Sequence, residues 1–315
     1  MTEVAVKEIE YKNFGRCLEL SNNIVKVIVT IDVGPRIISY SFVNGENILF
    51  EDVGRTFFET VPKEKFGDIW YTYGGHRMWT SPESSPRTYY PDNEPVAYEL
   101  MENGVRLLPD SQKWNQYVFE MEVTLDAECS EVFLAHKITN LAAWPVELAP
   151  WTITAVSAGG REVIPQPVKD TSPLSNRLIA LWPYTKLIDS RVHWGDKYIV
   201  LTQDESNAEE FKFGINSAHG YAMYFNHGDL FIKQFSTVEN GNYPDSGMSF
   251  ETYTNNLFLE MEALGELVKL EPGESTAFFE KWSLHREACP SGEETEFDRI
   301  AEKYIGNRQE SNKRK

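Results

Sequence analysis

The chain lacks most features that announce a function. Only three cysteines occur in 315 residues, Cys17, Cys129 and Cys289, far apart and odd in number. No CxxC pair exists, which excludes a disulfide framework or a thiolate metal site and fits a reducing compartment. Positive charge is scarce: 30 Lys and Arg stand against 48 Asp and Glu, for a net charge of −18. Without a basic surface there is no counterion-release term for nucleic acid and no attraction to an anionic membrane. No stretch approaches the ~20 apolar residues of a membrane span. The first residues show no cationic start followed by an apolar run, so no signal peptide is read and the expected compartment is the cytoplasm. Walker, dinucleotide, HExxH and GxSxG patterns are missing, and the lone Gly159-Gly160 pair reads as a plain turn. Neither a cofactor nor a metal is expected. Internal repeats and clear linkers are missing too.

What is present is apolar and aromatic. The chain is 41% hydrophobic and 13% aromatic, enough for a large core. The dominant period is two. Ile24 to Ile31 is a β-branched run, and Arg36 to Val43 leads through Asn44-Gly45 into another. Tyr117 to Leu125, Val132 to Asn140, Gly220 to Phe225, Leu230 to Phe235, Leu257 to Glu262 and Ser275 to Leu284 read as further strands. Helical patterns are few; the best runs from Ser291 through Phe297, Ile300 and Tyr304. The expected fold is all-β: one large β-sandwich over residues 1–288, then a short helix and polar tail over 289–315. The regions 51–95 and 159–196, rich in Pro, Gly, Trp and Tyr, read as long binding loops.

Among these loops, Gly74-Gly75-His76-Arg77-Met78-Trp79 carries the most chemistry. Two glycines allow close backbone approach, and a titratable ring, a cation and a flat apolar face follow. That combination suits a polyhydroxylated ligand, whose C–H face stacks on an aromatic while polar groups bind its hydroxyls. A glycine turn with a satisfied His and Trp is the competing reading. Later, Glu260 and Glu262 share one strand face by alternation, and Phe258 shares it with them. Two carboxylates so placed repel, which raises one proton affinity and suits a base. His136 lies on a strand face with Ile138 and Asn140, either in a site or as a satisfied strand histidine.

His136-Lys137-Ile138-Thr139-Asn140-Leu141 resembles the His-x-x-x-Asn-Leu strand end of the aldose 1-epimerase (galactose mutarotase) family. Phe258 to Glu262, the Pro272-Gly273 turn and Trp282 are similar to that family's late glutamate strand and closing strand. Gly74 to Trp79 and Glu260 to Gly265 resemble runs of a branch of the superfamily to which no activity is attached. The resemblance spans most of residues 20–285 in strand order. It implies a twisted antiparallel supersandwich that binds a monosaccharide on a concave face. It also implies His136 as general acid, Glu262 as base and His76 beside the sugar. The chain departs from mutarotases at Ile138 and Thr139, and at Ala263-Leu264-Gly265.

Mutarotation opens and recloses a hemiacetal, with a base at the anomeric hydroxyl and an acid at the ring oxygen, each within about 3 Å of its proton. Arg36, Arg77 and Arg87 could bind an anionic sugar through a bidentate contact, or simply pair with the many carboxylates. Trp79, Trp151, Trp182, Tyr89, Tyr90 and Tyr243 are candidate stacking surfaces. Glu260, Lys233 and Asp245 complete the candidate ligand contacts. Three functions remain open: an aldose mutarotase or epimerase, a sugar-binding protein without turnover, and a lyase or hydrolase of similar fold. Glu260 and Glu262, roughly 7 Å apart on one strand, do not flank a bond as a hydrolase pair must.

Overall fold

The computed structural model describes residues 3–217 and 219–306. Two large antiparallel sheets form its framework. The first runs Ala5–Glu10, Arg16–Ser21, Val25–Thr30, Ile37–Phe42, His76–Ser81, Val146–Val156, Leu259–Leu264, Phe250–Thr254, Phe211–Ile215, Ile179–Leu181, with Val268–Leu270 beside Val146–Val156. The second runs Val192–Trp194, Tyr198–Thr202, Arg161–Pro165, Tyr221–Asn226, Asp229–Phe235, Ser275–His285, Val132–Asn140, Tyr117–Leu125, Gly104–Leu108, Ala97–Met101. The expected all-β sandwich is therefore what forms.

Alternation places one apolar file of each strand between the sheets. Val25, Val27 and Val29 meet Val123, Leu134 and Phe231 there, all buried. β-Branched and aromatic side chains pack well on a pleated surface, which is why these runs form strands. The helix Glu294–Tyr304 lays Phe297 and Ile300 against Tyr198, Phe225 and Ile232 on the outer face of the second sheet. Residues 307–315 of the expected polar tail lie outside the described residues. No helix among the described residues is long and apolar enough to cross a membrane.

The two regions read as loops contain regular structure. The first holds Phe58–Glu59, Trp70–Tyr71, the helix Val61–Phe66 and the strand His76–Ser81; the second holds Arg161–Pro165, Ile179–Leu181 and Val192–Trp194. Their strands are short and interrupted by Gly and Pro, which hides a period of two. Most consequential is His76–Ser81, an interior strand and not a loop. Gly74 and Gly75 turn the chain into it with φ of 91° and 64°. A Cβ on Gly75 would lie 2.1 Å from the Ile37 carbonyl oxygen, so only glycine fits so close an approach. The strand pairs with Ile37–Phe42 at a single register position, Ile37 with His76. On its other side it pairs along its whole length with Val146–Val156.

Candidate functional site

Five neighbouring strands of the first sheet build a cleft on its outer face. Their registers create cross-strand rows of side chains. Arg77 sits opposite Ile153, which sits opposite Glu262, which sits opposite Glu251. Next to this row, Trp79 lies opposite Trp151. On the other side, Glu260 lies opposite Tyr253, and Tyr253 opposite Lys212. Because side chains on one face recur every second residue, one register holds all of these groups together. The resulting cleft has a volume of about 330 Å³ and is also lined by Phe57, Glu59, Trp70, Thr72, Glu83, Tyr89, Trp182, Tyr184 and Glu210.

Its electrostatics centre on Lys212. Glu251 and Glu262 face each other across two strands, a repulsive arrangement by itself. The Lys212 ammonium stands between them, 2.9 Å from Glu251 and 2.8 Å from Glu262. It also lies over the rings of Trp151 and Trp182, at 4.8 and 4.7 Å. Burial alone would lower its proton affinity, but the two carboxylates raise it well above the ordinary lysine value. Burial raises the Glu262 carboxyl; Lys212 pulls it back and Glu260 pushes it up again. Glu251 is lifted by burial to about 8. Trp151 donates its indole N–H to Glu262 at 2.9 Å. Arg77 is tied to Glu260 at 3.2 Å and stacks on Trp79 and Trp70 at 4.4 and 5.3 Å.

The two histidines lie elsewhere. His76 precedes Arg77 by one residue and so points through the sheet, into the space between the sheets. His136 comes from the facing sheet, and the two Nε2 atoms meet at 2.8 Å. His76 Nδ1 lies 2.8 Å from the Thr154 hydroxyl, which also accepts from Lys233 at 2.7 Å. Lysine can only donate, so one consistent assignment runs Lys233 to Thr154 to His76 to His136, whose Nδ1 has no hydrogen-bond partner among the described residues. Burial pushes His136 down to about 4 and His76 well below its usual value. Lys233 is wholly buried and pairs with buried Glu280 at 3.2 Å.

Several expected site residues therefore part company. Glu262, Glu260, Arg77, Trp79 and Trp151 share the cleft, as do Tyr89 and Trp182. His76, His136 and Lys233 belong to the polar network between the sheets, because alternation sends them to the other face. Arg36 is fully buried, paired with Asp92 at 2.8 Å, and does not line the cleft. Asp245 accepts from Ser81 at 3.0 Å and does not line the cleft. Tyr243 is engaged with the Val238 backbone. A second, larger cleft of about 540 Å³ reaches Tyr90, Trp114, Met121 and His136, and shares Arg77 and Trp79 with the first.

Sequence reasoning passed over Lys212, Glu251, Tyr184 and Glu210. The first two carried a signal: each is one charge inside an apolar strand, Phe-Lys-Phe-Gly-Ile and Phe-Glu-Thr-Tyr. A strand with one face in the core can place such a charge only on its other face, among partners.

Among solved structures, the chain resembles a galactose mutarotase-like protein from Lactobacillus casei, with a TM-score of 0.53 and 10% identity over 85% of this chain and all of that one. The fold is that of the galactose mutarotase-like proteins. A putative aldose 1-epimerase from Klebsiella pneumoniae is similar at a TM-score of 0.57 and 12% identity, over 98% of this chain and 90% of its own. A TPR-domain containing protein from Parabacteroides distasonis is similar at 0.61 and 13% identity; 87% of this chain spans about half of it, 48%. No protein-family model and no curated protein matches the chain. At such identities the likeness to these mutarotase-like structures is one of fold.

Proposed function

We propose that this protein binds a monosaccharide or sugar derivative in the smaller cleft, with Glu262 as the group that can exchange a proton with it. One observation carries the reading: tryptophan faces and hydrogen-bonding carboxylates converge on a single cleft of about 330 Å³. That volume falls at the lower end of small-molecule sites, about 300–1,000 Å³. Trp79, Trp151 and Trp182 offer rings to a pyranose face, and Glu260 and Glu262 offer acceptors to its hydroxyls. Binding without turnover is the primary reading. The His–Glu pair implied by the resemblance would have to act across the sheet, and Lys212, held protonated by two carboxylates, is a poor proton donor.

Mutarotation is the second reading, favoured by the raised proton affinity of Glu262 in a cleft. Tryptophan fluorescence, titrated with a panel of hexoses and pentoses, tests binding. Saturable quenching is expected, weakened about three- to tenfold in Trp182→Ala, the equivalent of one aromatic contact. No response to any sugar overturns the proposal. Exchange NMR between anomers then separates the two readings: acceleration by the parent protein but not by Glu262→Gln establishes turnover.

A further inference from the structure

The cleft is acidic in a way its cations do not offset. Arg77 and Lys212 are its only arginine and lysine among the described residues. Both are already committed, Arg77 to Glu260 and Lys212 to Glu251 and Glu262. Glu59, Glu83 and Glu210 also line the cleft, and none of them has a cation within salt-bridge distance there. Two are aimed by tyrosines of the same wall: Tyr89 donates to Glu83 at 2.5 Å, and Tyr253 donates to Glu210 at 2.8 Å.

A second observation is independent of the carboxylate count. Four side chains lining the cleft carry a buried polar atom with no hydrogen-bond partner: Glu262 Oε1, Thr72 Oγ1, Trp70 Nε1 and Arg77 Nε. Buried polar atoms are nearly always paired, so each calls for a partner from outside the chain. The set comprises a carboxylate acceptor, a hydroxyl and two N–H donors. A donor-rich group satisfies the first, and sugar hydroxyls satisfy the other three. The aromatic walls add to this, since tryptophan faces attract cations, as Lys212 already demonstrates.

Resting on the sugar-binding reading above, we propose that the cleft selects an amino sugar, a polyhydroxylated cation, over neutral and anionic sugars. A phosphate or uronate would approach three uncompensated carboxylates and find no guanidinium or ammonium whose charge is not already balanced by a carboxylate. An ammonium would meet those carboxylates and the tryptophan faces.

Fluorescence titration of the whole protein at neutral pH tests this with four probes: 2-amino-2-deoxyglucose, glucose, glucose 6-phosphate and cyclohexylammonium. The amino sugar is expected to bind at least about fivefold tighter than glucose, the effect of one charge pair near 4 Å in water. The advantage should shrink as salt rises and vanish in Glu83→Gln/Glu210→Gln. The phosphate should bind weakest. Glucose binding as tightly as the amine, or the phosphate binding best, overturns the selectivity and leaves the sugar reading intact. Cyclohexylammonium binding while no sugar binds overturns the sugar reading and keeps a cation site. No response to any probe overturns both.

Discussion

Lys233 offers the sharpest test of how the two sheets are joined. Its ammonium is buried between them, donating to the Thr154 hydroxyl at 2.7 Å, to the Met261 carbonyl at 3.1 Å and to the Thr152 carbonyl at 3.3 Å. It neutralises Glu280 at 3.2 Å, with both side chains fully buried. Burial lowers the proton affinity of the lysine, and Glu280 holds it up. Lys233→Met keeps the stem and removes the charge. Glu280 then keeps its bonds from the Thr152 hydroxyl and the Trp282 N–H, but loses its counter-charge. Breaking one side of a buried pair costs about 3–5 kcal/mol. A domain has only about 5–15 kcal/mol in total, so the variant should be close to unfolding. Adding Glu280→Gln removes the orphaned charge and should recover most of the loss, since well-packed neutral replacements of buried pairs are often nearly neutral. Urea denaturation of the parent, single and double variants measures both quantities. A single variant within about 1 kcal/mol of the parent, or a double variant no better than the single, would refute this account of the network.

Two further predictions concern the histidine pair and the glycine that precedes it. His76 and His136 have folded proton affinities below the ordinary 6.5 of an unfolded histidine, His136 at about 4. At these two sites the unfolded chain thus binds more protons between those values, so the contribution of the pair to stability is full above about pH 6.5 and falls as pH drops toward 4. The gap for His136 amounts to about 3 kcal/mol. Buried Glu251 and Glu262, raised in the fold, act with the opposite sign, so thermal melts of the parent and of His136→Asn are compared: the parent's advantage should shrink as pH drops toward 4, and a difference between them that does not change with pH would exclude the buried neutral pair. Gly75→Ala should cost more than about 2 kcal/mol, since it combines a left-handed backbone with a backbone clash. Gly273→Ala, also at positive φ but with open space around it, should cost only about 1–2 kcal/mol; equal melting shifts in the two variants would show that the close approach at Gly75 has no effect.

The sandwich was legible because period-two patterns are local: Val25 to Thr30, Tyr117 to Leu125 and Val132 to Asn140 become strands where the alternation says they should. The shared face of Glu260 and Glu262 followed from the same rule. What the sequence hid was register and depth. Gly74-Gly75 resembles a loop signal, and only the closeness of the Ile37 and Phe50 carbonyls shows it to be the entry to an interior strand. Once that run is a strand, alternation itself separates His76 from Arg77. Arg36 and Lys233 looked available because long cations are seldom wholly buried. Their partners, Asp92 and Glu280, lie 56 and 47 positions away in a pairing no local pattern encodes.

Trp79 and Arg77 stand in the walls of both clefts. A partition shared by two rooms cannot be moved for one of them alone. A change in the position of the Trp79 ring therefore alters the shape of both clefts at once. The two spaces are thus one mechanical unit. Their contents, if each has one, are bound by the reciprocity that governs any pair of linked sites.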